Sequence, residues 1–196
     1  MSGTVGDNTA RASGVIASAG GGGAWTLIST QTASADTEID FTTLSADYLD
    51  FKVIGSGCRP SNATQTLQVR FFDTTPTIIT SSEYVFGMNG RNSGGSNNTN
   101  NADPDSSMIT ASPTWKWENH TKGSLWFEAN FSAIHNAAQF PLMNISTIFY
   151  GEDAYVEPST GGGALEQPIA VGGIRFFPGG GTIAEGEFTL YGRKIT

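Results

Sequence analysis

Cysteine and histidine are both scarce in this 196-residue chain. The single cysteine, Cys58, excludes an intrachain disulfide and with it the disulfide-stapled class of secreted folds. The two histidines, His120 and His135, are too few and too far apart in sequence to indicate a zinc site. Neither is placed by sequence to activate a cysteine nucleophile, so we expect Cys58 to be a small buried or loop thiol.

Charge is also sparse, because Asp, Glu, Lys and Arg together make up 14% of the residues. Ten basic residues stand against eighteen acidic ones, for a net charge of −8. This balance argues against direct nucleic-acid binding, since phosphates need cationic partners. It equally argues against docking on an anionic membrane, and we interpret the charge as a source of solubility.

Long apolar runs are missing, and no stretch approaches the roughly 20 residues that span a bilayer. We therefore predict no membrane insertion. The N-terminus also lacks a basic region followed by an apolar run, which is the pattern of a secretory signal. We accordingly expect synthesis in a cytoplasm.

Catalytic motifs do not emerge either. The chain has no Gly-x-Ser-x-Gly elbow and no Gly-x-x-x-x-Gly-Lys phosphate loop. Asp103 and Asp105 lack the remaining ligands of a calcium loop. Carboxylates are available but no motif selects an acid and base pair among Glu118, Glu128, Glu152, Asp153 and Glu157. We predict a protein that is not an enzyme, with no cofactor and no metal.

Glycine, serine, threonine and asparagine are abundant, and short runs of alternating apolar and polar residues recur between turns. This pattern predicts an all-β, two-sheet antiparallel sandwich, with a jelly roll as the favoured topology and an immunoglobulin-like Greek key as the alternative. One helical turn is expected around 133–139. The predicted strands are 25–30, 38–41, 48–55, 65–72, 83–88, 124–131, 144–150, 169–177 and 187–193.

The C-terminal segment predicts a β-hairpin that closes a sheet. Ile174 and Phe176 alternate with Arg175, a glycine-rich turn follows, and Phe188 and Leu190 alternate with polar residues. Because a core strand lies so near the end of the chain, we expect a self-contained module without an appended catalytic domain.

The chain divides into an N-terminal arm, residues 1–23, and a sandwich domain, residues 24–196. The arm is small, polar and glycine-rich, so it cannot form a core of its own. Two interpretations remain open: an anchor that orders against a neighbour, or a disordered tail. The candidate anchor residues are Asp7, Asn8, Arg11, Val15 and Ile16.

A long polar segment, 87–105, is predicted to be a loop. Asn and Asp side chains suit sugar hydroxyls, which favours a recognition loop, whereas a solvated excursion or a subunit contact is the alternative. The candidate recognition residues are Asn89, Arg91, Asn97, Asn100, Asp103 and Asp105.

Three tryptophans form a second candidate site. Trp115 and Trp117 are two apart and would point the same way on a strand. Exposed, they would offer a stacking platform for a glycan ring, and buried they would belong to the core or to a subunit interface. Trp126 lies on the strand face opposite Phe127 and becomes an interface residue if a symmetry mate covers that face.

The C-terminal pattern Ile183-x-x-Gly186-x-x-x-Leu190-Tyr191-Gly192 resembles the end of a group of tailed-bacteriophage virion structural proteins. The resemblance extends to 24–29, 38–41, 48–54 and 67–73, and is looser over 75–165. These proteins occur as tail-fibre tips and as stand-alone structural proteins. The resemblance implies a homotrimer on the virion exterior, made in the host cytoplasm.

Within that class the absence of heptads, β-helical repeats or a shaft favours a capsid decoration protein, whose arm grips the major capsid protein. A tail or adaptor protein is the other candidate partner, for a tail-fibre or head-fibre tip that recognises a host surface glycan. A free carbohydrate-binding module is the alternative from another class.

Overall fold

The computed structural model describes residues 23–106, 108–111, 117–120, 123–151 and 155–194, with the backbone alone for 103–106. Alternating apolar residues make this part of the chain a succession of β-strands, as expected. The strands are β1 (Trp25–Ala33), β2 (Ile39–Phe41), β3 (Tyr48–Pro60), β4 (Leu67–Asp73), β5 (Tyr84–Arg91), β6 (Asn97–Ser106), β7 (Ile109–Thr110), β8 (Leu125–Ser132), β9 (Leu142–Tyr150), β10 (Val156–Leu165), β11 (Val171–Pro178) and β12 (Ile183–Lys194).

Two antiparallel sheets pack against each other, which confirms the predicted all-β sandwich. The large sheet has the order β1-β12-β3-β8-β9-β10-β5-β6, and the small sheet has the order β2-β11-β4-β7. Each of the nine predicted strands coincides with an observed one, although β3 runs on through Cys58 to Pro60.

Eight strands pair in a nested order. β1 pairs with β12, β2 with β11, β3 with β8 and β4 with β7, so the outermost strands in sequence pair first and the innermost last. The remaining four strands, β9, β10, β5 and β6, extend the large sheet beyond β8. The large sheet therefore has an outer face eight strands wide.

The core lies between the sheets because each strand buries alternate residues. In β8 the side chains of Leu125, Phe127, Ala129 and Phe131 are buried, as predicted, while Trp126 faces outward. Phe127 contacts the rings of Phe176 from the small sheet and Phe188 from the large one, at centroid distances of 5.1 Å and 5.6 Å. Aromatic packing thus joins the two sheets.

The predicted C-terminal hairpin is wrong. β11 belongs to the small sheet and β12 to the large sheet, so the two strands face each other across the core and do not pair. The rings of Phe176 and Phe188 pack at 5.8 Å between centroids. The buried face predicted for each strand is confirmed. Alternation, however, specifies which face is buried and not which strand is the hydrogen-bonded partner.

The predicted long loop over 87–105 is also wrong. β5 and β6 form an antiparallel hairpin there, with Arg91 opposite Asn97 and a turn over 92–96. Asn92 closes the turn, because its Oδ1 accepts a hydrogen bond from Ser96 N at 2.9 Å. At 133–139 the expected helical turn takes the form of two successive turns, in which Asn136 N donates to Ala133 O and Gln139 N to Asn136 O.

Candidate functional site

The outer face of the large sheet gathers most of the exposed side chains of interest. A polar ladder crosses five neighbouring strands at its centre, since each member lies opposite the next in the strand register. Its members are Glu128, Ser146, Thr160, Asn89 and Thr99. Four of the five side chains carry uncharged hydroxyl or amide groups. The centre of the face is therefore polar and carries little net charge.

A groove of about 660 Å³ lies on this face at the end where β1 and β3 begin. Pairing of β1 with β12 and of β12 with β3 sets Trp25 opposite Arg193 and Arg193 opposite Asp50. We call it the Trp25 groove, and the side chains that matter here are Trp25, Asp50, Asn130, Leu142, Asn144 and Arg193.

Ion pairs hold the polar side chains of the groove in place. Arg193 donates from Nε to Asp50 Oδ2 at 2.9 Å, and its Nη2 contacts the same oxygen. Beside the groove, Lys52 Nζ lies 2.9 Å from Glu128 Oε1 and 4.9 Å from the centroid of the Trp25 ring. Both positive charges are thus paired with carboxylates, and the Lys52 ammonium also fixes the indole by a cation–π contact.

Exposed apolar residues line up at the other end of the same face. Trp126 lies opposite Ile148, and Ile148 lies opposite Pro158, on the adjacent strands β8, β9 and β10. Val156 on β10 adds a fourth exposed apolar side chain. We call these four residues the apolar row, and a contiguous exposed patch of this kind is typical of a contact surface.

The candidate recognition residues occupy the hairpin and not a loop. Asn89 and Arg91 on β5 line a shallow depression on the outer face together with Ser146 and Thr160. Asn97 is exposed and Asn100 half-buried, both on β6. Asp103 and Asp105 fall within β6, in the part where only the backbone is described.

Trp117 is only 1% exposed, so of the two alternatives given for it the buried one is correct and the stacking platform is not. Its backbone pairs with Gln65, with Trp117 N to Gln65 O at 2.7 Å, which fixes the side chain in the core. Trp126 is 40% exposed on the outer sheet face. Trp115 lies outside the described residues, as do the candidate anchor residues Asp7, Asn8, Arg11, Val15 and Ile16.

Two groups that could take part in proton transfer or nucleophilic attack, Glu128 and Cys58, have pKa values moved away from neutrality. Hydrogen bonding from Lys52 holds the pKa of Glu128 below its usual range, so this carboxylate has no proton to give at neutral pH. Burial raises the pKa of the Cys58 thiol to about 12, which removes the thiolate a nucleophile needs. Glu157 is fully buried on the inner face of β10.

No group of three or more His, Cys, Asp or Glu side chains is placed to hold a metal ion in the described ranges. The same ranges contain no helix long and apolar enough to cross a membrane.

Sequence reasoning missed the Trp25 groove because its members are far apart in the chain. Trp25, Asp50 and Arg193 come together only through the register of β1, β12 and β3. One signal was available: Asp50 and Arg193 both occupy the polar side of a predicted strand, and Trp25 begins one.

Comparisons with protein-family models, with curated proteins and with solved structures give no match for this chain.

Proposed function

We propose that the sandwich is a jelly roll and that the chain is a non-enzymatic structural protein on the exterior of a tailed-phage virion. The nested pairing of eight strands supports the topology, because a jelly roll is a long antiparallel hairpin rolled into two sheets. Jelly rolls build many viral shell proteins, and the C-terminal sequence resemblance favours the same class. Fold alone does not decide a function, so the surface carries the argument.

The observation that carries the proposal is the apolar row on the outer sheet face. Trp126, Ile148 and Val156 are 40%, 42% and 43% exposed on neighbouring strands. Covering such a group of apolar side chains with another protein surface removes them from water, which stabilises the association. We propose that this row is a subunit contact of a homotrimer, and that residues 1–23 anchor the trimer on the major capsid protein as a decoration.

A fibre tip attached to a tail or adaptor protein is the second form of the proposal. The Trp25 groove favours it, since a concave surface with an exposed indole suits recognition of a host surface molecule. The two forms share the virion exterior and differ in copy number.

The test is the copy number of this protein in purified particles, measured by quantitative mass spectrometry against the major capsid protein. We expect a number comparable to that of the shell protein. A few to a few dozen copies would replace decoration by a fibre or spike, and absence from the particles would end both forms. As a control, a chain without residues 1–23 should remain folded and be lost from the particles; its retention would contradict the anchor.

A further inference from the structure

The amide groups of Asn130 and Asn144 present acceptors to the Trp25 groove. Asn130 Nδ2 donates to Glu128 Oε1 at 3.2 Å, and Asn144 Nδ2 donates to the carbonyl of Gly161 at 3.1 Å. A carboxylate and a carbonyl only accept, so the nitrogen of each amide must face them. The Oδ1 atom of each amide therefore points away from Glu128 or Gly161, and it has no hydrogen-bond partner among the described residues.

Asp50 adds a third acceptor. Both hydrogen bonds from Arg193 end on Oδ2, which leaves Oδ1 without a partner in the described part of the chain. The ion pair with Arg193 fixes this carboxylate at the groove wall, where the Asp50 side chain is 17% exposed. The groove therefore has three acceptor oxygens, the Oδ1 atoms of Asp50, Asn130 and Asn144, that have no donor among the described residues. The hydroxyl groups of a sugar can donate hydrogen bonds to such oxygens.

The apolar ends of the groove suit sugar rings. Trp25 is 38% exposed, and Lys52 lies over one side of its indole and fixes the ring. The opposite side of the indole is the surface on which the C–H face of a sugar ring would stack. Leu142 lines the other end, four strands away in the order β1-β12-β3-β8-β9. At about 4.8 Å between strands, this separation is about 19 Å, enough for a short oligosaccharide and not only for one ring.

The charges of the groove favour a neutral ligand. Its guanidinium, Arg193, is already paired with Asp50, and the nearby Lys52 is paired with Glu128. The unpartnered atoms are acceptors, which would repel a carboxylate or a sulfate. The whole chain is acidic, with a net charge of −8, and that adds to the repulsion.

We propose that the Trp25 groove binds a neutral oligosaccharide, which stacks on Trp25 and donates hydroxyl hydrogen bonds to Asp50, Asn130 and Asn144. This gives a ligand class to the groove that the fibre-tip form of the proposal uses for host recognition. It does not depend on the virion placement, because a sugar site on this face would bind whether or not the protein is found in particles.

The experiment uses the full chain on an array that carries neutral hexose and N-acetylhexosamine oligosaccharides beside sialylated and sulfated ones. The best neutral binder is then titrated in solution by calorimetry, which reports affinity per chain and is insensitive to the oligomeric state. We expect Trp25→Ala to lower the affinity about tenfold or more, since it removes the ring surface. Asn144→Ala serves as a second variant and should weaken binding through a lost acceptor.

Trp126→Ala is the matched control, because Trp126 is 40% exposed on the same sheet face and lies outside the groove. Binding that Trp126→Ala retains and Trp25→Ala and Asn144→Ala lose would support the proposal. Binding lost with Trp126 and kept with Trp25, a preference for the acidic glycans, or no binding to any glycan on the array would each overturn it.

Discussion

At the scale of single residues, Cys58 shows how position decides chemistry. It lies on β3 with a side chain that is fully buried, and its Sγ lies 3.7 Å from the carbonyl oxygen of Ser56. Burial disfavours the charged thiolate, which raises the pKa from an ordinary 9.0 to about 12. The thiol is therefore a small apolar group of the core, which is the buried one of the two predicted alternatives.

The raised pKa predicts a loss of stability in alkali. Above pH 9 the unfolded chain releases the thiol proton while the folded chain keeps it until about pH 12, so the free energy of unfolding falls as the pH rises through this window. One such group contributes a slope of at most about 1.4 kcal/mol per pH unit. Urea denaturation at pH 8, 9, 10 and 10.5 measures the slope.

Cys58→Ala is the comparison for that measurement. The variant is less stable at pH 8 because it leaves a cavity, but it lacks the titrating group. The difference between the two proteins should therefore narrow as the pH rises. Parallel profiles over the whole range would show that folding does not raise the pKa of the Cys58 thiol.

At the scale of the element, β10 is the strand that the sequence hid. It contains Pro158 and the run Gly161-Gly162-Gly163, and neither is typical of a strand in the interior of a sheet. The strand forms because β9 and β5 flank it and complete its hydrogen bonds along nearly its whole length. A side chain at Gly161 would have no room, since a Cβ there would lie 2.1 Å from the carbonyl oxygen of Gly87.

We predict that Gly161→Ala destabilises the protein by about 1–3 kcal/mol, because the neighbouring backbone of β5 must move aside. Gly87→Ala is the control: it lies in the adjacent strand and its Cβ would meet no atom within 4 Å. The control should be near neutral in urea denaturation. Equal losses for the two variants would mean that any side chain in these strands is harmful, and that close approach at Gly161 is not the cause.

Elements with regular alternation were predictable, and the others were not. In β8 every second residue is apolar, so both the strand and its buried face followed from the sequence. β6 consists almost wholly of Asn, Asp, Ser and Thr. It pairs with β5 at the edge of the large sheet, whose other strands supply the core residues. Such strands depend on their neighbours, which a local pattern does not contain.

At the scale of the whole molecule, the two sheets are joined by the rings of Phe127, Phe176 and Phe188. These rings come from β8, β11 and β12, and all three are fully buried. These strands are distant in sequence, so the three rings meet only after the strand pairs that carry them have formed. Folds with such distant pairings gather their contacts late and fold slowly.

Phe188→Ala should lower the free energy of unfolding by about 3–5 kcal/mol, because it opens a cavity where the sheets meet. Leu27→Ala, on the neighbouring strand β1 but 58% exposed, is the control and should change stability little. Chemical denaturation compares the two. A small effect of Phe188→Ala would show that the cluster is not where the sheets are held together.

The candidate site also belongs to this scale, which is why the sequence did not reveal it. Asp50 and Arg193 are each an ordinary polar residue of a strand, and they meet only because the last strand of the nested order inserts between the first and the third. Exposure of a tryptophan likewise depends on the assembled sheets, and the sequence alone left both outcomes open for Trp117. In the structure Trp25 is 38% exposed and Trp117 is 1% exposed.

The pairing of Trp25 with Arg193 has a mechanical consequence. The first residue of β1 and the last residues of β12 lie at the same corner of the sandwich. Among the described strands, β1 is an edge strand whose one ladder partner is β12. Tension between these two points would open the hydrogen bonds of β1 one pair at a time, like a zip, and would need little force. Tension between residue 25 and the far end of the sheet would load all the pairs of β1 together. A domain tethered through the residues before Trp25 would therefore resist a pull along the strand far better than a pull toward its own C-terminal strand.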